Sequence, residues 1–417
     1  MKSFRVLLVF ACVIAMSLMS AAATPQTLNP PPLAILSDQS QSNDEFGTTV
    51  AISADGKIVA VGASGNEGAV YIYVEPATGW TTTSTYTAKL TTGSSQVSGF
   101  GYSVAISPDG KTIAAGAPNA TSPTGSQGVI LIFEEPTGGW VSSSHPAAEL
   151  YANGTPTGGS LGGFVATSGN TVVAGVPQGP YGVGAAFVFV EPSNGWHSMA
   201  ETAILSPSDN TVGDDLGAVA ISGNTIVVGG PQNETVNGEP GAAYVYVKPA
   251  SGWTNMTETA KLTASDAKQY DDLGVSVAIQ GSTIAVGANE DNVGAGAAYI
   301  FVEPAGGWKS MTETAEFTPV NGNLDDWFGF AVALMGTGNV LVVGEPEVFA
   351  GNNGQAYAYV KPASGWKSTS NPNYNVSSPP EFESFVAALA ASANVVAVGA
   401  NYISDTGAGG VVLYGKN

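Results

Sequence analysis

The chain has little cysteine, histidine and arginine. Its 417 residues include one cysteine, two histidines and 12 basic residues, against 33 acidic residues. One cysteine cannot build an internal disulfide framework, and His145 and His197 do not have the spacing of metal ligands. The net charge of −21 repels nucleic-acid phosphates and anionic lipid surfaces at long range. We therefore expect no nucleic-acid partner and no direct insertion into a membrane.

Long hydrophobic runs are also scarce, and the clearest one lies at the start of the chain. Residues 6–19 are apolar, follow the cationic Lys2 and Arg5, and precede small residues that end at Ala23. This order is typical of a secretory signal peptide, and the run is short for a membrane span. We predict a signal peptide over residues 1–23, a proline-rich spacer over 24–33 and one domain over 34–417. The expected product is a monomer that is secreted or held at the cell surface.

Helical periodicity is missing as well, whereas glycine is abundant, with 54 residues. Short β-branched and aromatic runs alternate with Gly, Asn and Asp, which indicates strands joined by turns. In the stretch from residue 260 to 308, four strands are predicted, at 261–263, 275–279, 283–286 and 298–302. These strands are apolar on both faces, so each sheet must be covered on both sides.

The same unit is repeated about every 54–60 residues. The units open with a short apolar stretch that begins at Ala34, Ala88, Ala148, Ala203, Ala260, Ala315 and, in a weaker form, Tyr374. Six units also carry a [Glu/Lys]-Pro-x-x-Gly-Trp tag that ends at Trp80, Trp140, Trp196, Trp253, Trp308 and Trp366. Because each of these tryptophans follows the same turn, we expect them to pack within the fold rather than to bind a ligand.

Seven units of four strands predict an all-β fold, a seven-bladed β-propeller of four-stranded antiparallel blades. The last unit is one strand short, since it ends on the strand at residues 410–414. If residues 33–37 supply the missing outer strand, the ring closes and no open edge remains there.

The repeated motifs resemble FG-GAP repeats, the units of the integrin α-chain propeller. They include Phe46-Gly47, Phe100-Gly101, Phe328-Gly329 and Gly116-Ala117-Pro118, with variants such as Leu273-Gly274. The resemblance implies an integrin-like propeller that is usually extracellular and usually a binding surface. Integrin blades often hold calcium in the hairpin after the FG strand. Here those hairpins read SADGK, SPDGK, TSGNT, ISGNT, IQGST, MGTGN and ASAN, which lack enough oxygen ligands for a calcium loop.

Alternating strands place the connections of a propeller on two opposite faces. We call one the turn face: it carries the hairpin after each FG strand and the Trp-tag turns. The other, the loop face, carries the loop after each Gly-Ala strand and the loop that enters each FG strand. Most acidic residues of the chain fall on the loop face, concentrated over the fourth to sixth blades. The resemblance implies that this face is the one used for ligands.

The candidate ligand-binding residues are Asp214, Asp215, Asp271, Asp272, Glu290, Asp291, Asp325, Asp326 and Trp327. Convergent carboxylates attract a cation or a cationic partner, and calcium bridging between loops of different blades is one interpretation. Trp327 is included because it is the one tryptophan that falls on the loop face. Two structural interpretations stay open: solubility from exposed acids, and Asp side chains that simply turn the chain.

No catalytic residues are assigned. Neither a Ser-His-Asp arrangement nor a cysteine nucleophile is indicated, and both histidines fall on the turn face. The leading hypothesis is a non-catalytic propeller for adhesion or extracellular recognition of a protein or glycan. Two alternatives are a carbohydrate-binding, lectin-like propeller and an extracellular hydrolase or lyase that uses paired carboxylates such as Asp271 and Asp272.

Overall fold

The computed structural model describes most of the chain after residue 30. The described residues are 31–38, 44–65, 68–93, 97–125, 127–153, 159–177, 184–209, 216–231, 240–320, 322–323, 326–346, 354–377, 379, 382, 385–400 and 409–415. The predicted signal peptide, residues 1–23, and most of the predicted spacer lie outside them. The described residues form seven antiparallel sheets and one short helical turn.

The first three blades follow one another along the chain. From the inside of the ring outwards, the first blade consists of β2 (Phe46–Ile52), β3 (Ile58–Ala63), β4 (Ala69–Val74) and β5 (Ala88–Leu90). The second blade consists of β6 (Val104–Ile106), β7 (Thr112–Thr121), β8 (Gln127–Glu134) and β9 (Ala148–Tyr151). The third blade consists of β10 (Phe164–Ser168), β11 (Thr171–Val176), β12 (Ala185–Val190) and β14 (Ala203–Leu205). A two-residue strand, β13 (Met199–Ala200), pairs with β9 in parallel.

Blades four to six repeat the same order. The fourth blade consists of β15 (Val219–Ser222), β16 (Thr225–Gly230), β17 (Ala242–Val247) and β18 (Ala260–Thr263). The fifth blade consists of β19 (Ser276–Gln280), β20 (Thr283–Ala288), β21 (Ala297–Val302) and β23 (Ala315–Phe317). The sixth blade consists of β24 (Ala331–Met335), β25 (Val340–Glu345), β26 (Gln355–Val360) and β27 (Tyr374–Ser377). The two-residue β22 (Met311–Thr312) pairs with β18, and the turn α1 (Asp291–Gly294) precedes β21. Each repeat unit thus starts on the outer strand of the preceding blade.

The seventh blade joins the two ends of the domain. It consists of β28 (Phe385–Ala391), β29 (Val395–Ala400), β30 (Gly410–Gly415) and β1 (Ala34–Leu36). Strand β1 pairs antiparallel with β30, so that Ala34 lies opposite Leu413 and Leu36 opposite Val411. The inner strands contact one another in sequence, and β28 contacts β2. The prediction of a seven-bladed ring closed by the N-terminal strand is confirmed.

The inner strands surround a central channel of about 260 Å³, lined mainly by valine, alanine and isoleucine. The two middle strands of a blade are almost fully buried, as in β20 and β11, where every residue is buried. Apolar clusters fill the space between adjacent blades, for example between blades four and five. The hydrophobic effect therefore acts mainly between sheets, and a single blade would leave both of its faces exposed.

The FG and Gly-Ala motifs meet at the joint between adjacent blades. A Cβ atom placed on Gly287 of β20 would lie 1.9 Å from the carbonyl oxygen of Gly329, the FG glycine of the next blade. The same contact, at 1.8–2.2 Å, joins Gly62 to Gly101, Gly116 to Gly162, Gly175 to Gly217, Gly229 to Gly274 and Gly399 to Gly47. Backbones approach this closely only where a side chain is missing, which explains why the motif requires glycine.

The joint between the sixth and seventh blades departs from this pattern. Phe385-Val386 stands where the other blades have Phe-Gly or Leu-Gly, and Val386 has a φ of 72°. A β-branched residue rarely adopts positive φ, so this joint carries backbone strain. The side chain of Val386 is fully buried and occupies the space in front of Gly344 that a carbonyl oxygen occupies at the other joints.

The turn face is built from hairpins and Trp tags that bind each other. The indole Nε1 of Trp140 donates to the carbonyl oxygen of Gly110 at 2.9 Å, and Trp80 does the same to Gly56 at 3.0 Å. Trp140 and four other tag tryptophans are buried. Within the second-blade hairpin, the hydroxyl of Ser107 donates to Asp109 at 2.6 Å. That bond, aided by the backbone N–H and charge of Lys111, holds the pKa of Asp109 below its usual range.

Replacing Gly287 by alanine tests the glycine joint. The new Cβ would meet backbone rather than a flexible side chain, so we expect Gly287→Ala to lower the free energy of unfolding by about 1–3 kcal/mol or more. Gly306, in the same blade, has no atom within 4 Å of such a Cβ and is the matched control. Gly306→Ala should change the stability by less than about 0.5 kcal/mol in urea unfolding. Equal stability of both variants would contradict the close packing of Gly287 against the next blade.

Ring closure can be tested at Leu36, which is fully buried in β1. Leu36→Ala should cost about 2–5 kcal/mol in the free energy of unfolding, as for other buried leucines. Leu262, equally buried at the same position in the fourth blade, provides the matched variant Leu262→Ala. If Leu36→Ala unfolds like the wild type while Leu262→Ala is destabilised, β1 does not close the ring in solution.

Candidate functional site

The candidate residues that the structure describes lie on two neighbouring blades. Asp271 and Asp272 enter the inner strand of the fifth blade, and Glu290 and Asp291 follow β20 of the same blade. Asp326 and Trp327 enter the inner strand of the sixth blade. The other candidates, Asp214, Asp215 and Asp325, lie outside the described residues.

Two of these aspartates hold turns of the chain. Asp271 Oδ2 accepts the backbone N–H of Lys268 at 2.5 Å, and Asp326 Oδ2 accepts that of Asn323 at 2.9 Å. Both carboxylates thus bond to the residue three positions earlier, and both side chains are buried. A short Asp side chain that accepts a nearby N–H is a common way to turn a loop. The structural interpretation therefore holds for Asp271 and Asp326.

The residue before the FG motif adopts a left-handed conformation. Asp272 has a φ of 57° and Trp327 a φ of 55°, as does Glu45 at 57° in the first blade. The carbonyl oxygens of Asp272 and Trp327 each accept the N–H three residues later, at 3.1 Å. The indole of Trp327 is half-buried and stacks on Phe330 with ring centroids 6.3 Å apart. Trp327 is therefore partly packed, with one part of its surface accessible.

A group of three carboxyl side chains converges on the loop face of the fifth blade. One oxygen each from Asp266, Asp291 and Glu316 lies within 4.8 Å of the other two. Asp266 is in the loop after β18, Asp291 in α1 and Glu316 in β23. We call these three residues the carboxylate cluster. It joins three separate segments of the chain.

Neighbouring polar groups surround the carboxylate cluster. The hydroxyl of Tyr299 donates to Asp266 Oδ1 at 3.2 Å, and Asn292 Nδ2 donates to Asp291 Oδ2 at 3.2 Å. Lys268 Nζ donates to Asn292 Oδ1 at 3.0 Å and lies 4.0 Å from Asp291 Oδ1. Asp291 has no exposed surface, whereas the side chain of Lys268 is 59% exposed. Lys268 therefore pairs with the buried carboxylate at 4.0 Å, from a side chain that is mostly exposed to solvent.

Burial and mutual repulsion raise the pKa values of two members of the carboxylate cluster. Burial, together with the charges of Asp271 and Asp266, raises the pKa of Asp291 to about 6. Burial and the charges of Asp266 and Asp291 also raise the pKa of Glu316. Both shifts have the sign expected for buried carboxylates that lie close to one another.

The fourth blade shows the same arrangement with a lysine. There Lys261 lies opposite Tyr244 on the neighbouring strand, as Glu316 lies opposite Tyr299 in the fifth blade. Lys261 Nζ is 2.5 Å from Asp209 Oδ2, and Asp209 occupies the position of Asp266 in its repeat. Although burial acts in the opposite direction, Lys261 holds the pKa of Asp209 below its usual range.

The structure brings together only part of the predicted set. Of the described candidates, Asp291 belongs to the carboxylate cluster, and the charge of Asp271 acts on it. Glu316 was missed as a site residue because its Ala-Glu-Phe stretch reads as an ordinary outer strand. The middle residue of these stretches is lysine at 89 and 261 but glutamate at 149 and 316, and only Glu316 combines that glutamate with an aspartate at the position of Asp266, which was the available signal.

The geometry defines the class of the protein as a seven-bladed β-propeller. A model of the FG-GAP repeat family matches residues 199–246, 256–301 and 311–359. The chain thus contains FG-GAP repeats, and its ring of seven blades is consistent with an integrin α-like propeller. No curated protein matches the chain.

FG-GAP propellers are often binding or recognition modules and are commonly extracellular. Among the residues described above, no helix is both long and apolar enough to cross a membrane.

The turn-forming role of Asp326 gives a stability prediction. Asp326→Ala removes the acceptor of the Asn323 N–H and should lower the free energy of unfolding by about 1 kcal/mol. Asp326→Asn keeps an oxygen at the same place and should stay within about 0.5 kcal/mol of the wild type. Chemical unfolding followed by tryptophan fluorescence measures both. If the alanine variant is as stable as the wild type, Asp326 does not hold the turn.

Proposed function

We propose that this chain is a non-catalytic recognition propeller, secreted or held at the cell surface, that serves adhesion or recognition through its loop face. Its partner is an extracellular protein segment rich in lysine or arginine. The observation that carries the proposal is the carboxylate cluster. Three carboxyl groups from separate segments converge within 4.8 Å, and the mostly exposed Lys268 lies 4.0 Å from one of them, Asp291. Such a cluster produces a negative potential that attracts cationic groups.

Other features support recognition rather than catalysis. Asp271, one member of the paired carboxylates that a hydrolase would use, is engaged by a backbone N–H. His145 and His197 lie beside the Trp tags of the turn face, where their ring nitrogens contact Ser144 and the carbonyl of Gly195. The half-buried Trp327 adds an aromatic surface near the acidic loops, and aromatic rings bind cationic side chains through their faces.

The experiment compares two variants that lose the same number of charges on opposite faces. The loop-face variant carries Asp266→Asn, Asp272→Asn, Glu290→Gln and Glu316→Gln. The turn-face variant carries Glu75→Gln, Glu134→Gln, Glu191→Gln and Glu303→Gln. Binding to an immobilised lysine-rich peptide is measured by surface plasmon resonance in EDTA, so that the result does not depend on a bound metal ion.

We expect the loop-face variant to bind about tenfold more weakly than the wild type, because each exposed charge pair contributes up to about 1 kcal/mol. The turn-face variant should retain the wild-type affinity within about twofold, and the wild-type affinity should fall as salt screens the charges. Equal losses in both variants would mean that net charge alone attracts the peptide, and the proposed surface would then be wrong.

A further inference from the structure

The Oδ1 atom of Asp291 is a buried oxygen of the fifth blade that has no hydrogen-bond partner among the described residues. Asp291 has no exposed surface. One oxygen of the same Asp291 carboxylate lies within 4.8 Å of oxygens from Asp266 and Glu316. A buried, ionised carboxylate without a close positive partner is costly, so proteins pair such groups with a cation or use them to bind a metal.

Two other blades of the same ring, the first and the fourth, carry a lysine at the strand position of Glu316. In the fourth blade the ammonium of Lys261 sits against Asp209 and lies 5.6 Å from the centre of the Tyr244 ring. In the first blade Lys89 lies 4.9 Å from the centre of the Tyr71 ring, in the same strand register. The fifth blade keeps the tyrosine and the loop aspartate but has Glu316 instead of the lysine. It has therefore lost a positive charge and gained a negative one.

The geometry and chemistry of the cluster select the kind of cation. Carboxylate oxygens are hard ligands, which favour calcium, magnesium or manganese over softer metals. Calcium–oxygen distances of about 2.3–2.6 Å place oxygens on opposite sides of the ion about 4.6–5.2 Å apart. The limit of 4.8 Å among the three oxygens lies within that span. The wide, irregular coordination of calcium also suits ligands from three unrelated segments.

We propose that Asp266, Asp291 and Glu316 bind a calcium ion on the loop face of the fifth blade. Tyr299, which donates to Asp266, positions one of these ligands, and Asp271 holds the turn at Lys268 beside them. The ion supplies the positive charge that Lys261 supplies in the fourth blade. It displaces the exposed Lys268 from its 4.0 Å contact with Asp291. The site lies on the opposite face from the hairpin loops in which integrin-like blades hold calcium.

Calcium in this position has a structural consequence. It would tie the loop after β18, the turn α1 and strand β23 together, so the local structure of the fifth blade would be stabilised. Any ligand that binds only the folded chain raises its melting temperature. This inference does not depend on the proposed recognition of a cationic partner, because metal binding is measured without one.

The test is isothermal titration calorimetry and thermal unfolding of the full chain after treatment with EDTA and removal of the chelator. Calcium chloride is titrated to about 10 mM, well above the weakest affinities of extracellular calcium modules. We expect calcium binding at the cluster and a higher melting temperature in calcium than in EDTA.

Two variants assign the binding to the cluster. Asp291→Asn removes one ligand charge with little change in shape. Glu316→Lys installs the residue that the first and fourth blades carry at this position, so it is compatible with folding of a blade. Both should weaken calcium binding by about tenfold or more, and Glu316→Lys should unfold at a higher temperature than the wild type in EDTA. Glu303→Gln, on the turn face of the same blade, is the matched control and should bind calcium like the wild type.

Loss of the heat signal and of the calcium-dependent rise in melting temperature in both variants, but not in Glu303→Gln, supports the site. If the wild type shows neither signal, the proposal is wrong. If Asp291→Asn and Glu316→Lys bind calcium as tightly as the wild type, the ion binds elsewhere and the assignment to this cluster is overturned.

Discussion

The contact on which the ring depends is the close approach of two glycines, which recurs at six of the seven joints between blades. Where Gly287 packs against the carbonyl oxygen of Gly329, the backbones of adjacent blades come closer than any side chain would allow. The loops that precede the FG strands are thereby held at the rim of the neighbouring blade, as when Trp327 N–H bonds to the carbonyl oxygen of Gly294. Apolar clusters between the blades then add the burial that makes the closed ring stable.

On this repeated scaffold, small changes of side chain produce large changes in electrostatics. The fourth and fifth blades place a tyrosine, a loop aspartate and an outer-strand side chain at matching positions. Lysine at that strand position balances the aspartate in the fourth blade, whereas Glu316 adds to the negative charge in the fifth. The two blades share the strand register around these positions, so the difference seen there lies in the side chains.

The acidic residues of the loop face divide into two physical groups. Asp271 and Asp326 accept backbone N–H groups and shape the turns that lead into the inner strands. Asp266, Asp291 and Glu316 face one another, and the raised pKa values of Asp291 and Glu316 reflect a charge that the protein does not balance closely. A high count of acids in a loop therefore says little about binding until the acceptors of backbone hydrogen bonds have been separated from the rest.

The sequence by itself determined the number of blades, the strand pattern and the closing role of the first strand, because the repeats, the glycine motifs and the missing last strand are all local or periodic signals. It also predicts that most acids lie on the loop face, since strand alternation assigns each loop to a face. It could not separate Asp271, which holds a turn, from Asp291, which belongs to the carboxylate cluster, because both lie in similar acidic loops. Only the tertiary structure decided that Glu316, in an outer strand, meets Asp266 and Asp291, because the register of strands and the left-handed turn at Asn292 and Val293 bring three distant segments to one point.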